Sequence, residues 1–180
     1  PPLILYNRDG AGFPAALRGM YAIALHDQAT GDVVLSRDPF GIKPLYVKSG
    51  SDGISFASEP QALRDGDTGA ADIDPGKRAE LLQLQFTTGS QTIFPGIQRL
   101  LPGETLTIRD GRIAERQRLP AWPQEPGPTL TSESEALAAL DDALMDSVEL
   151  HQRSDVPYGL FLSGGIDSTA VLAAMRRLND

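Results

Sequence analysis

The first half of the chain alternates short apolar runs with turn-rich segments. Residues 20–26, "MYAIALH", and 32–36, "DVVLS", flank the polar turn "DQATG", which predicts a β-hairpin. A second pair of apolar runs follows at residues 45–47 and 54–57, around "KSGSDG". Consecutive hairpin signals at this spacing predict an antiparallel meander.

A short helix is predicted over residues 75–86, "PGKRAELLQLQF". Pro75 stands near its start, leucines lie among good helix formers, and "TTGS" follows its end. Residues 92–113 then return to brief apolar runs separated by glycine turns, with a further hairpin signal at Arg109, Asp110 and Gly111.

The composition changes at residues 120–128, "PAWPQEPGP", where four of nine residues are proline and one is glycine. A segment of this composition is extended and folds poorly alone. We interpret residues 119–130 as a linker that separates a domain over residues 1–118 from a second domain over residues 131–180.

Two helices and a strand are predicted after the linker. Ser132 and Glu135 have the spacing of a capping box, and the helix after them is predicted to end near residues 153–154. The apolar run at 155–162, "DVPYGLFL", is of strand type, and a second helix begins at about Asp167. The apolar positions repeat at three and four residues: Leu137, Leu140, Leu144 and Val148, then Val171, Leu172, Met175 and Leu178.

Composition narrows the partners. A net charge of −8 and an isoelectric point near 4.7 argue against broad binding to nucleic acid or anionic membranes, which needs a cationic surface. The chain has no cysteine, which excludes disulfides and thiolate metal sites within it. No apolar run approaches the roughly 20 residues of a membrane span, so we expect a cytoplasmic protein. A start on two prolines and an end directly after a helical pattern suggest a piece of a longer protein.

The candidate chemistry lies in the turn between the predicted strand and the last helix. Gly164 and Gly165 let backbone N–H groups converge without a Cβ in the way, and a helix N-terminus follows. The hydroxyls of Ser163, Ser168 and Thr169 add donors, so we expect a phosphate here. No lysine occurs in residues 156–180, which excludes a Walker A loop. A carboxylate beside phosphates requires a bridging Mg²⁺, so Asp167 predicts a metal-bound pyrophosphate.

The chain resembles a known family over nearly its whole length. "LSGGIDST" resembles the S-G-G-x-D-S pyrophosphate loop of N-type ATP pyrophosphatases, and "SDVPYGLFLSGGIDSTAVLAAM" is similar to the synthetase domain of glutamine-dependent asparagine synthetases. Upstream, "LRGMYAIALHD", "SRDPFGIKPLY" and "FASEPQAL" resemble the second half of a class II glutamine amidotransferase domain. Amidophosphoribosyltransferases carry a run similar to "RDPFGIKPLY", and the pyrophosphate loop decides between the two families.

The resemblance implies a fold and a reaction. The fold is a partial α+β sandwich of the N-terminal-nucleophile type, followed by the start of a parallel-sheet α/β ATP pyrophosphatase domain. The reaction is ATP-dependent amidation of aspartate through β-aspartyl-AMP, with ammonia from glutamine, by a carbon–nitrogen ligase. ATP and Mg²⁺ are the implied cofactors, the substrates are small molecules, and a homodimer is left open.

The resemblance also assigns site residues. Ser163, Gly164, Gly165, Asp167 and Ser168 would hold the pyrophosphate, with Asp167 as the Mg²⁺ ligand. Phe161 and Leu162 would lie beside the nucleotide. The family has leucine at both positions, so Phe161 is a departure that alters the adenine pocket. The family's amidotransferase nucleophile is an N-terminal cysteine, which is absent here. We therefore assign no catalytic residue and expect this chain alone to be inactive.

Several alternatives stay open. The glycine turn can be simple punctuation with Asp167 as a helix cap. Arg37 and Asp38 form a charged pair that is more typical of a structural lock than of catalysis. A related enzyme can use another carboxylate acceptor, as β-lactam synthetases and lasso-peptide cyclases do. A non-catalytic amidotransferase-like scaffold is the remaining class.

Overall fold

The chain divides into two units, Pro1–Gln124 and Glu125–Asp180. The computed structural model describes residues 2–64, 73–127 and 129–179. Within these ranges every strand lies in the first unit, whereas the second unit holds two helices. No helix of the described residues is long and apolar enough to cross a membrane.

Unit 1 begins with helical turns that the apolar pattern did not predict. Helix α1 (Pro2–Asp9) leads directly into a 3-10 helix, Gly10–Ala16. The fully buried Phe13 packs edge-on against Tyr6, with 5.9 Å between ring centroids. The Tyr6 hydroxyl also donates to Asp27 at 3.2 Å. An aromatic pair and one hydrogen bond, rather than an apolar stripe, therefore fix this segment.

The described residues of unit 1 form seven strands, all of them antiparallel: β1 (Ala22–His26), β2 (Val33–Arg37), β3 (Tyr46–Gly50), β4 (Gly53–Ala57), β5 (Ile97–Arg99), β6 (Glu104–Arg109) and β7 (Arg112–Arg118). They build a four-stranded sheet of order β1-β2-β6-β7 and a three-stranded sheet of order β4-β3-β5. The pairs β1–β2, β3–β4 and β6–β7 confirm the three predicted hairpins. The predicted meander is wrong, because β2 pairs with β6 and the first two hairpins therefore lie in different sheets.

The predicted short helix is α2 (Pro75–Leu84). Asp74 caps its start, because its carboxylate accepts from the Lys77 amide at 2.8 Å. Gln85 ends it with a left-handed φ of 65°. The helix is two residues shorter at its C-terminus than predicted, since the chain reverses at Gln85 rather than at the "TTGS" segment.

Facing side chains of the two sheets form the core of unit 1. Leu35, Leu106 and Ile108 come from the larger sheet, and Val47 comes from the smaller one. Leu45 and Leu100 belong to the same buried cluster. An α+β unit with antiparallel sheets around a shared apolar layer is therefore confirmed.

Asp38 is completely buried, and its carboxylate organises the loop that follows β2. One oxygen accepts from the amides of Phe40 at 3.2 Å and Ile42 at 3.0 Å, and the other accepts from the amide of Lys43 at 3.0 Å. Three loop N–H groups that would otherwise lack partners are satisfied by one side chain.

The neighbouring Arg37 side chain hydrogen-bonds to carbonyl groups of the same loop and to one carbonyl group from a distant segment. Its guanidinium donates to the carbonyl oxygens of Lys43 at 2.7 Å, Gly41 at 2.5 Å and Leu100 at 2.5 Å. Burial lowers the pKa of Arg37 from its ordinary value. Arg37 and Asp38 therefore form a structural turn lock, in agreement with the structural interpretation of this pair.

Gly103 marks a point where two backbone segments nearly touch. Its φ is +73°, and a Cβ at this position would lie 1.9 Å from the carbonyl oxygen of Leu119. Gly103 also accepts from the Leu119 amide and donates to the Asp38 carbonyl oxygen, both at 2.9 Å. Glycine is required because no other residue fits both the conformation and the space.

Unit 2 contains α3 (Glu133–His151) and α4 (Ile166–Asn179). The capping box is confirmed, since the Ser132 hydroxyl accepts from the Glu135 amide at 3.2 Å and the Glu135 carboxylate accepts from the Thr131 amide at 2.9 Å. A bidentate ion pair joins Arg177 to Asp141, with N–O distances of 2.6 and 2.9 Å.

The strand predicted over residues 155–162 does not form, and this prediction is wrong for the chain as it stands. A strand is stabilised by hydrogen bonds to a neighbouring strand, and the described part of unit 2 offers only helices. The run pairs with no strand among the described residues. Many apolar side chains of the unit are consequently exposed, among them Val156, Tyr158, Leu137 and Leu140.

We predict that Asp38→Asn destabilises unit 1 by about 2–4 kcal/mol, because the amide nitrogen would face backbone donors in a buried site. Urea unfolding followed by circular dichroism measures the change. Asp52→Asn, at an exposed turn, is the matched control and should stay within about 0.5 kcal/mol of the parent. Equal stability of the two variants would show that the loop does not depend on the Asp38 carboxylate.

We predict that Gly103→Ala lowers the free energy of unfolding by about 3 kcal/mol or more, since its methyl group would overlap the Leu119 carbonyl. Gly31→Ala is the control, because Gly31 has a similar φ of +77° but no atom within 4 Å of an added Cβ. This variant should lose only about 1–2 kcal/mol. Thermal unfolding compares them, and a loss at Gly103 no larger than at Gly31 contradicts the argument from contact.

Candidate functional site

The glycine turn that precedes α4 adopts an open conformation. Gly164 has a φ of +79°, and no atom lies within 4 Å of a Cβ added there. A Cβ at Gly165 would meet only the Ser163 hydroxyl, at 3.5 Å. The turn therefore leaves its backbone accessible to a ligand on the side where side chains would otherwise stand.

The start of α4 supplies donors for an anion. The first N–H groups of a helix have no partner within the helix and carry its positive dipole end. Here those groups belong to Ile166, Asp167 and Ser168, whereas the Thr169 amide already donates to the Gly165 carbonyl at 3.2 Å. N–H groups at such a position can bind an anion, and the phosphate expected from the sequence stays a prediction.

All three hydroxyls of the turn have hydrogen-bond partners within it. Ser163 and Ser168 hydrogen-bond each other at 3.1 Å, and the Ser168 hydroxyl also donates to the Gly165 carbonyl at 3.1 Å. The Thr169 hydroxyl donates to the same carbonyl at 2.8 Å, as a threonine in the first helical turn can do with the carbonyl four residues earlier. Their role as donors to a phosphate stays a prediction.

Asp167 lies in the first turn of α4 and is exposed. Its carboxylate suits Mg²⁺, which prefers oxygen ligands and commonly uses one or two carboxylates together with phosphate oxygens. Within the described ranges there is no group of three or more His, Cys, Asp or Glu side chains that could hold a metal ion. Coordination of Mg²⁺ by Asp167 together with a phosphate ligand stays a prediction.

Phe161 and Leu162 precede the turn, and both side chains are exposed. The Phe161 side chain is 90% exposed and the Leu162 side chain is 51% exposed. The structure brings them next to the turn along the chain, but the strand expected to orient them is absent. Their predicted position beside a nucleotide stays a prediction.

The two helices that frame the turn hold each other by charge as well as by packing. The Arg177 guanidinium beside Asp141 lowers the pKa of that carboxyl group from its usual value. A groove of about 360 Å³ lies between α3, α4 and residues 158–160. Its lining is mainly apolar and includes Leu144, Val148, Tyr158, Val171 and Met175.

Residues 3–118 match the family model described as a glutamine amidotransferase domain. Residues 139–180, which include the glycine turn, match the family model described as asparagine synthase. The two matches follow each other along the chain without overlap.

Individual relatives support the same comparison. A Mycobacterium tuberculosis protein, provisionally named asparagine synthetase (glutamine-hydrolyzing), is 37% identical over 97% of this chain and 28% of its own length. Asparagine synthetase (glutamine-hydrolyzing) 1 of Bacillus subtilis is 35% identical over 97% of this chain and 27% of its own length. The amidase chyE of Penicillium rubens is 31% identical over 94% and 25%, respectively. The chain thus spans about a quarter of the length of these relatives.

We predict that Gly164→Ala weakens binding of Mg-pyrophosphate about tenfold, because alanine at a φ of +79° costs about 1–2 kcal/mol. Gly159→Ala is the control, since an added Cβ meets nothing within 4 Å there and no left-handed φ is required. Amide chemical-shift titrations of the two variants and the parent give the dissociation constants. Parent-like binding by Gly164→Ala would show that the turn conformation is not needed.

Proposed function

The chain belongs to the glutamine amidotransferase domain family through residues 3–118, and from this membership we propose that it forms part of a glutamine-dependent asparagine synthetase. In the proposed reaction, one domain hydrolyses glutamine to ammonia. The other domain uses ATP to convert aspartate to β-aspartyl-AMP with release of pyrophosphate, and ammonia then displaces AMP. The protein would act as an ATP-dependent carbon–nitrogen ligase.

The observation that carries this proposal is the S-G-G-x-D-S turn at the N-terminus of α4. It lies within the asparagine synthase match, Gly164 has a left-handed φ with no atom within 4 Å of an added Cβ, and the Ser163 and Ser168 hydroxyls lie 3.1 Å apart. Ser163, Gly164, Gly165 and Ser168 would bind the pyrophosphate oxygens by hydrogen bonds. Asp167 would hold Mg²⁺, which neutralises phosphate charge when bound.

The two family matches support a division of labour along the chain. We propose that residues 1–118 form the C-terminal part of an amidotransferase domain of the N-terminal-nucleophile type, with residues 119–130 as a linker. Residues 131–180 would begin a parallel-sheet ATP pyrophosphatase domain. In the whole protein, residues 155–162 would gain neighbouring strands and pair, which would cover exposed apolar side chains such as Val156.

We further propose that the 180-residue chain does not turn over substrate alone. It contains no cysteine for the amidotransferase step, and it spans about a quarter of the length of its relatives. Residues from the remainder of a longer polypeptide would complete both active sites. The proposed setting is the cytoplasm, and a homodimer is left open.

The acceptor carboxylate has a second candidate identity. A relative with a different name, the amidase chyE of Penicillium rubens at 31% identity, shows that similarity over this part of the chain is not restricted to proteins named asparagine synthetase, so an acceptor other than aspartate is the second candidate. The pyrophosphate turn would perform the same activation in either case, so the turn does not discriminate between acceptors.

The test uses a polypeptide that continues this chain to the length of its relatives, with Mg-ATP, aspartate and glutamine. We expect AMP, pyrophosphate and asparagine in equal amounts. Asp167→Asn should lower AMP formation by about a hundredfold or more, since the metal ligand is lost. Asp142→Asn, an exposed carboxylate on α3, is the control and should retain activity within about twofold.

The outcomes separate the candidate functions. AMP and pyrophosphate formed only with another carboxylate would replace aspartate as the acceptor and retain the chemistry of the turn. If neither product forms with any acceptor, the ligase proposal is overturned in favour of a non-catalytic scaffold. Turnover by the 180-residue chain itself would contradict its proposed inactivity.

A further inference from the structure

The Gly165 carbonyl oxygen accepts three hydrogen bonds. The donors are the Thr169 amide at 3.2 Å, the Thr169 hydroxyl at 2.8 Å and the Ser168 hydroxyl at 3.1 Å. The first bond is an ordinary helical bond, and the other two come from side chains. A carbonyl oxygen has two lone pairs, so this group is fully committed.

These bonds also fix the neighbouring N–H group. A peptide unit is planar and trans, so its C=O and N–H point in opposite directions. The Gly165 carbonyl points along α4 toward Thr169, and the amide of Ile166 in the same peptide therefore points out of the helix start. Any group that holds this carbonyl also aims the first amide of the helix at an incoming anion.

We propose that Thr169 is a positioning residue for the pyrophosphate turn, acting through the Gly165–Ile166 peptide without touching the ligand. The inference rests on the proposed function of the turn as a pyrophosphate site. The Thr169 hydroxyl bonds to the Gly165 carbonyl, whereas the Ser168 hydroxyl contacts both that carbonyl and the Ser163 hydroxyl.

The role of Thr169 grows when the ligand binds. The Ser168 hydroxyl is a second side-chain donor to the Gly165 carbonyl, and it also contacts the Ser163 hydroxyl. A phosphate that takes the Ser168 hydroxyl removes that donor from the carbonyl. Thr169 is then the remaining side-chain donor on the Gly165 carbonyl, so its loss costs more in the bound state than in the free state.

The experiment compares the 180-residue chain with Thr169→Val, which keeps the branched shape and removes the hydroxyl, and with Thr169→Ser, which restores it. The probe is inorganic pyrophosphate with Mg²⁺. We expect Thr169→Val to weaken binding about fivefold to tenfold, with a smaller loss of thermal stability, and Thr169→Ser to recover most of the affinity. Thr129→Val, at an exposed position outside both helices, is the control and should bind as the parent does.

A second measurement needs no ligand. The carbonyl 13C resonance of Gly165 and the amide resonance of Ile166 should both shift in Thr169→Val and return toward the parent values in Thr169→Ser. Unchanged resonances in Thr169→Val overturn the positioning role, whether or not pyrophosphate binds. Shifted resonances with parent-like pyrophosphate affinity also overturn it. Failure of the parent itself to bind pyrophosphate overturns the proposed pyrophosphate site, and with it the role of Thr169 in ligand binding.

Discussion

The buried pair Arg37–Asp38 is the constraint on which the architecture of unit 1 depends. Its side chains hydrogen-bond to backbone N–H and C=O groups of the loop that follows β2, a loop that is not part of a strand. The Asp38 backbone adds bonds to the Tyr21 carbonyl and to the Gly103 amide, so one residue connects β1, this loop and the start of β6. Buried charges are tolerated here because nearly every polar atom has a partner. Arg37 also donates to the carbonyl of Leu100, directly after β5, so the pair connects the loop to the end of the smaller sheet.

Unit 2 follows the opposite principle. Its helices are held by a capping box and an ion pair, and much of its apolar surface is exposed. In the turn before α4, hydrogen bonds from Thr169 and Ser168 stabilise the glycine peptide. In the proposed phosphate site, backbone donors and hydroxyls would bind the phosphate that a Walker A loop contacts with its lysine.

The hairpin signals of the sequence were sufficient to predict strand pairs, whereas the signals at α1 and at residues 155–162 were not sufficient to predict their structure. The three hairpins were predictable because alternating apolar runs and glycine turns are local features, and each strand found its partner a few residues away. Helix α1 was not predicted, since its contacts to Phe13 and Asp27 depend on the folded hairpin. The strand over 155–162 was predicted wrongly because an apolar run becomes a strand only beside another strand. The carbonyl contact of Thr169 was readable in principle from its spacing four residues after Gly165.

Residue types at short spacings were sufficient to predict the family, the three hairpins, the cap of α3 and the residues of the glycine turn. They did not predict the strand order, because β2 pairs with β6 from a distant part of the chain. Only the tertiary contacts show that Arg37 and Asp38 have a structural role and which atoms the hydroxyls of the glycine turn contact. Arg37 and Asp38 became a lock through carbonyl and amide groups brought together from distant segments such as Leu100. The Thr169 hydroxyl donates to the Gly165 carbonyl because that carbonyl points along α4 toward it. The physical reason is that the partner of a hydrogen bond is set by the orientation of groups in space, which residue type and spacing do not fix alone.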